Sequence, residues 1–199
     1  MATSKPSLKN ISNLHPNTQH NLGYFGSNSD IMNALHCGDS KIIKYSSLKQ
    51  YRSLLDLLPE TFDFRIILLE SERNSGHWVS IIRMGTTIEL FNSYGVEIDK
   101  EFRFIPDYIE RMLGESRHYL SELVDSVPPE FQVISNKIDF QSHDDKVATC
   151  SRWNILRIRS ASMGEDLANF QRNVMNLKKV WKVPYDIIVL SLVQFPTDL

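Results

Sequence analysis

Gly76-His77-Trp78-Val79-Ser80-Ile81-Ile82, followed by Leu90-Phe91-Asn92-Ser93-Tyr94-Gly95, is the stretch from which the fold can be read. Val79, Ile81 and Ile82, then Ile88, Leu90 and Phe91, predict two short strands, with Met84-Gly85-Thr86 as the hairpin turn between them. Antiparallel partners run back past each other, so a histidine opening the first strand and an amide closing the second meet at one end of the ladder. Imidazole and carboxamide then come within hydrogen-bonding reach. That arrangement fixes the tautomer and aim of a general base.

A nucleophile follows much later, at Cys150. Trp153, Ile155, Leu156 and Ile158 after it are apolar enough for a buried helix, and Thr149 before it is an acceptable N-cap. A cysteine in the first turn of a helix meets the positive end of the macrodipole and unpaired N–H groups, both of which favour the thiolate. Gln141 upstream can offer a side-chain N–H to a developing oxyanion, alongside the Cys150 backbone N–H. His77, Asn92, Gln141 and Cys150 together make a full set for nucleophilic acyl transfer.

The order His–(Asp/Glu/Asn)–Gln–Cys, with Gly-His-Trp on one strand and Phe-Asn-Ser-Tyr-Gly on the next, resembles the adenain-like cysteine proteases, which include the adenovirus maturation protease and the SUMO-specific proteases. Ile43-Lys44-Tyr45-Ser46-Ser47-Leu48, Gly76-His77-Trp78-Val79, Phe91-Asn92-Ser93-Tyr94-Gly95 and Cys150-Ser151-Arg152-Trp153 look most like the proteases of virophages (the mavirus kind), Maverick/Polinton elements and large DNA viruses. The resemblance spans roughly Ile42 to Arg159. It implies an α+β fold with a mixed central sheet flanked by helices. It also implies a viral endopeptidase that cuts capsid protein precursors during virion maturation, acting in the virion or in the viral factory of the host cytoplasm. The adenovirus enzyme further suggests DNA or a peptide as a weak cofactor.

Three departures from the family's pattern matter. Asn92 stands where many relatives carry Asp or Glu, so the imidazolium lacks a full negative partner; a thiol is acidic enough to ionise against histidine alone. Ser151 replaces the glycine that commonly follows the nucleophile and could narrow the backbone approach. The loop from Gln141 to Cys150 is longer than in the adenovirus and SUMO enzymes.

The 199 residues, 42% of them hydrophobic, suit one globular domain. Met1 to Ser29, rich in Ser, Asn, Lys and Pro, reads as a flexible arm or as a strap that orders on the body, leaving 30–199 as a single protease domain. Two cysteines are too few for a disulfide framework and point to a reducing compartment. No apolar run approaches the ~20 residues of a membrane span and no signal peptide is evident, so no membrane partner is expected. His36-Cys37, with His15 and His20, invites a zinc reading, but closely paired ligands are too few, and no metal or small-molecule cofactor is expected. Net charge is −2, unevenly spread: twelve acidic against five basic residues from Glu97 to Asp145, then eight basic against two acidic from Lys146 to Lys182. The two blocks read as mutually neutralising or solvated, with a polyanion-binding face as the alternative.

Along the rest of the chain, Ser46 or Ser47 caps a predicted helix running through Leu58, and Phe64 to Leu69 predicts a central strand buried on both faces. Pro106 and Asp107 start a helix that Gly114 interrupts before Tyr119 to Val124. Phe131–Ile134 and Ile138–Phe140 predict strands that deliver Gln141. His143 is a rival base, ranked below His77 because an Asp-rich loop does not aim it. Leu167, Phe170, Val174 and Leu177 predict an amphipathic helix, and Ile187–Phe195 a strand. Two other functions remain open at this point: an isopeptidase that removes ubiquitin-like proteins by the same chemistry, and a binding module that kept the scaffold and lost activity.

Overall fold

The structure, a computed structural model, describes residues 16–100, 107–114 and 118–196. The chain runs α1 (Pro16–Gly23), α2 (Asn28–Leu35), β1 (Ile42–Lys44), a 3-10 segment (Tyr45–Gln50) and α3 (Leu54–Leu57). Next come β2 (Phe62–Glu72), β3 (Ser75–Met84), β4 (Thr87–Phe91), α4 (Asp107–Leu113) and α5 (Tyr119–Asp125). It closes with β5 (Gln132–Ser135), α6 (Cys150–Ser162), α7 (Leu167–Trp181) and α8 (Tyr185–Leu192).

The strands form one five-stranded sheet in sequence order, with β2, β3 and β4 antiparallel and β1 and β5 added parallel at the two edges. The fold is α+β with a mixed sheet, as the sequence predicts. The hairpin is also as predicted: Met84 pairs with Thr87, and Gly85 takes φ +61° at the first position of the two-residue loop, where a side chain would be strained.

Both faces of the sheet are covered, and the alternation of side chains sorts them. Ile66, Leu68, Trp78, Ile82 and Phe91 pack in one core with α2, α6, α7 and α8. Ile67, Leu69, Val79, Ile81 and Ile88 pack in the other, against Leu48, Leu54, Leu57, Leu58, Leu120 and Leu123. Each such side chain contributes roughly 1.5–3 kcal/mol by leaving water, so the central strands hold the layers together. Glu89 lies fully buried in β4 and is matched by Arg157 of α6 through two bonds of 2.7 Å. A sheet covered on both sides leaves this carboxylate no route to water, and the guanidinium replaces it.

Several elements differ from the sequence reading. The helix predicted from Ser46 to Leu58 is two short pieces: the chain turns extended at Tyr51, and Ser53 starts α3 afresh by accepting from the Asp56 N–H. Ile138–Phe140 is not a strand, because the buried Asn136 side chain satisfies both the N–H and the carbonyl of Ile138. Ile187–Phe195 is mostly helix α8 rather than strand. Pro184 and Asp186 start that helix, and packing against α6, α7 and α1 overrides β propensity. Residues 16–29 of the N-terminal arm include α1 and the start of α2, whose capping box pairs Ser27 with Asp30. The Pro106 helix start lies outside the described residues, and α4 begins at Asp107.

Candidate active site

His77 enters β3 through an irregularity in the ladder. Glu70 pairs with Gly76 and Glu72 with Ser75, so the register shifts just before the histidine. Only glycine fits at position 76, since a Cβ there would lie 1.8 Å from the Leu69 carbonyl oxygen. His77 Nε2 lies 3.0 Å from Asn92 Oδ1. The orientation of that amide is fixed by two further bonds: Asn92 Oδ1 accepts from the Tyr94 N–H at 2.9 Å, and Asn92 Nδ2 donates to the Val96 carbonyl at 3.1 Å. An amide oxygen only accepts, so Nε2 must carry the proton and Nδ1 is left as the basic nitrogen. Asn136 Nδ2 in turn donates to the Asn92 carbonyl at 2.6 Å. The half-buried His77 ring stacks on Tyr94 with centroids 4.4 Å apart.

Cys150 begins α6, as predicted, and is almost fully buried. The first-turn N–H groups of this helix have no intrahelical acceptors and are oriented toward its N-terminal end. Thr149 does not cap them with its side chain; its hydroxyl donates instead to Asp186 Oδ1 at 2.5 Å. Asn154, one turn on, ties the helix that begins at Cys150 to the strand that carries His77. Its Nδ2 lies 2.8 Å from both the Cys150 carbonyl and the carbonyl of Trp78, the residue after His77.

Gln141 is buried, and its Oε1 accepts from Ser93 Oγ at 2.8 Å. Its Nε2 makes only long bonds, 3.3 Å to Tyr94 Oη and 3.4 Å to the Val147 carbonyl. The backbone N–H groups of Phe140 and Gln141 both donate to the Ser93 carbonyl, which seats the glutamine one residue from Asn92 on the β4 loop. His143, the rival base, stacks on the opposite side of Tyr94 at 4.4 Å and lies 3.3 Å from Asp139 on an exposed loop. Tyr94 therefore has a histidine stacked on it at each side.

Residues 22–26 pack against the strand and the loop that carry these groups. Phe25 stacks on Trp78 at 5.8 Å, Trp78 Nε1 donates to the Gly26 carbonyl at 3.1 Å, and the Ala148 N–H donates to the Leu22 carbonyl at 2.7 Å. Ser151, read from the sequence as able to narrow the backbone approach at Cys150, has its hydroxyl beside Gly26. A Cβ at Gly26 would sit 2.5 Å from Ser151 Oγ and 2.9 Å from the Phe195 ring. Glycine at 26 thus gives the serine its space.

The sequence reading passed over Asn136, Asn154 and Asp186. The roles of Asn136 and Asn154 at the site carry no local signal, because their bonds to the Asn92 and Trp78 carbonyls reach residues distant in the chain. Asp186 could have been found: Pro184-Tyr185-Asp186 is a helix-start pattern, with an acid in the first turn. Of the eight cations between Lys146 and Lys182, Arg152 and Arg157 are buried. Arg152 donates to the Val193 carbonyl and lies over the Phe195 ring. Among the described residues, no three His, Cys, Asp or Glu side chains converge as metal ligands would, and no helix is long and apolar enough to cross a membrane.

No family model matches the chain. The protein described as "Uncharacterized protein V9" of Sputnik virophage is 30% identical over 167 residues, covering 83% of this chain and 92% of that protein. Among solved structures, the crystal structure of the ASFV pS273R protease is similar with a TM-score of 0.45 and 14% identity, over 78% of this chain and 63% of that one. Its selenomethionine form gives 0.45 and 15%, over 78% and 64%. The chain thus spans less than two thirds of the length of that protease.

Proposed function

We propose that this chain, which belongs to the same family as protein V9 of Sputnik virophage, is a cysteine endopeptidase of the adenain-like type. The observation that carries the reading is the His77–Asn92 pair. Its amide is locked by Tyr94 and Val96 so that Nδ1 is the basic nitrogen, in a strand tied through Asn154 to the helix that begins at Cys150.

In this reading His77 takes the Cys150 proton, and the thiolate attacks the scissile carbonyl carbon. A C–S bond forms, and the carbonyl electrons move onto oxygen, which the Cys150 N–H and Gln141 Nε2 stabilise. Collapse breaks the C–N bond, and the imidazolium gives its proton to the departing amine. Water, deprotonated by His77, then hydrolyses the thioester. Ser93 supports the glutamine by holding its oxygen, which leaves the N–H groups to be offered. Their two long bonds are weak ones to exchange for an oxyanion.

The proposed substrates are capsid protein precursors, and the proposed setting is the virion or the viral factory in host cytoplasm. DNA or a peptide as a weak cofactor remains part of the proposal. Burial of Arg152 and Arg157 restricts any polyanion face to exposed cations such as Lys146, Arg172, Lys179 and Lys182. The test is incubation of purified chain with capsid precursor and with a ubiquitin-like fusion. Cleavage of the precursor, lost in His77→Ala and largely kept in His143→Ala, is the expected result. Cleavage of the fusion alone would make the chain an isopeptidase, and cleavage of neither would make it a binding module.

A further inference from the structure

Asp186 is a buried carboxylate that the mechanism above does not use. Of the four other buried acids, Asp63 bonds Lys41 and Arg65, Glu70 bonds Lys44 and Glu89 bonds Arg157, while Asp30 closes the α2 capping box. Among the described residues Asp186 makes no ion pair. Its Oδ2 accepts from the Ser142 backbone N–H at 3.0 Å, and its Oδ1 accepts from Thr149 Oγ1 at 2.5 Å. These two residues bracket the long loop of the site: one follows Gln141 and the other precedes Cys150.

We propose that Asp186 is a positioning residue for the oxyanion site: its single carboxylate cross-links the two ends of the 142–149 loop and so fixes the spacing between the Gln141 side chain and the Cys150 N–H. The inference rests on the protease reading of those two residues and deepens it.

The anchor is packed on three sides. Tyr185, the first residue of α8, packs edge-on against Phe140 at 5.2 Å and Trp153 at 6.4 Å, and Lys178 lies over its ring. The interior of the loop is held separately: the Val147 N–H donates to the Asp144 carbonyl and the Ala148 N–H to the Leu22 carbonyl. Neither bond relates Gln141 to Cys150. The Asp186 carboxylate does, and a donor displaced by about 1 Å can lower a rate on the order of a hundredfold.

An ionised carboxylate accepts both bonds at full strength. Burial pushes the Asp186 carboxyl up to about 6, with Asp139 adding to the rise; Lys178 of α7 is the cation nearby. The hydroxyl of Thr149 and the N–H of Ser142, and after them the Trp153 side chain, oppose the rise by favouring the anion. Once protonated, the carboxyl must place a hydrogen of its own, and the charge-assisted bonds become ordinary ones. The loop should therefore be held more firmly above pH 6 than below it.

The experiment compares two reactions of Cys150 in the full chain. Acylation by p-nitrophenyl acetate forms the S–C(acyl) bond through a tetrahedral oxyanion and expels p-nitrophenolate. Alkylation by iodoacetamide forms S–CH2 by direct displacement of iodide and develops no oxyanion. Both need the thiolate, so their ratio cancels thiolate formation and reports oxyanion alignment. Asp186→Asn and Thr149→Val should each lower acylation by about tenfold or more, with alkylation changed less than about threefold. In the unmodified chain the ratio should rise as pH passes 6, and in Asp186→Asn it should be flat.

An unchanged ratio in both folded variants would overturn the proposal, as would parallel loss of both reactions. If Cys150 shows no acylation above the Cys150→Ala background, the protease reading falls and the inference with it. A flat ratio in the unmodified chain, with acylation intact, would overturn the inference alone.

Discussion

Asn92→Asp probes the amide on which the His77 tautomer depends. The substitution keeps two of the three bonds, since a carboxylate oxygen can still accept from Tyr94 N–H and from His77 Nε2. The third is lost and inverted, because a second carboxylate oxygen would face the Val96 carbonyl, which now accepts from Nδ2 at 3.1 Å. The half-buried Val96 carbonyl left without its donor costs about 1–3 kcal/mol, the lower end applying where water replaces the donor. At roughly 2–4 °C per kcal/mol for a chain of this size, Tm should fall by about 2–12 °C at pH 9. The new anion also favours imidazolium, and so raises the His77 pKa. A raised histidine contributes in full below its unfolded value near 6.5 and loses that contribution as pH climbs through the raised one. The Tm deficit of Asn92→Asp should therefore shrink or vanish between pH 9 and pH 6, read by thermal melts of both proteins in matched buffers. Equal stability at pH 9, or a deficit that stays constant to pH 6, would refute the amide orientation and with it the assignment of Nδ1 as the base.

Glu89→Gln should cost about 3–5 kcal/mol in chemical denaturation, because it strands the buried Arg157 charge. The double variant Glu89→Met/Arg157→Met should recover at least half of the loss. Gly26→Ala should lower both Tm and activity through the 2.5 Å approach to Ser151 Oγ, and adding Ser151→Gly should restore part of each. No recovery there would move the whole effect onto Phe195. Asp186→Asn should gain on the unmodified chain by roughly 2 kcal/mol between pH 4 and pH 7, measured as the pH dependence of the stability difference. The sign follows from burial: a carboxyl raised from 3.8 to about 6 favours the folded chain while protonated, and that advantage is lost as pH rises through 6.

The hairpin was legible because its signals are local. Alternating apolar residues, a glycine turn and the strand parity are enough to bring His77 and Asn92 together. The start of α6 at Cys150 was legible for the same reason. What the sequence did not show lies in side chains that act across the chain. Thr149 looks like a cap, yet its hydroxyl serves Asp186, 37 residues on. Ile138–Phe140 looks like a strand, but Asn136 takes the polar groups of Ile138 and the Ser93 carbonyl takes the Phe140 N–H. The apolar run after Asp186 is ambiguous between helix and strand until the surfaces of α6 and α7 are in place. Arg152 and Arg157 read only as part of a basic block, neutralised by the acidic one or solvated, because nothing nearby announces Val193 or Glu89 as their partners.

The central claim is that Cys150 is the nucleophile of a protease, and Cys37 provides the built-in comparison. Cys37 is the other free cysteine, and burial pushes its thiol up, which makes it a poor thiolate source at neutral pH. The decisive measurement is cleavage of capsid protein precursor by the unmodified chain, Cys37→Ser and Cys150→Ala, with each variant's fold checked by thermal melt. The account predicts that the unmodified chain and Cys37→Ser cut at equal rates, while Cys150→Ala stays folded and leaves the precursor intact. A folded Cys150→Ala that cuts at the unmodified rate would contradict it.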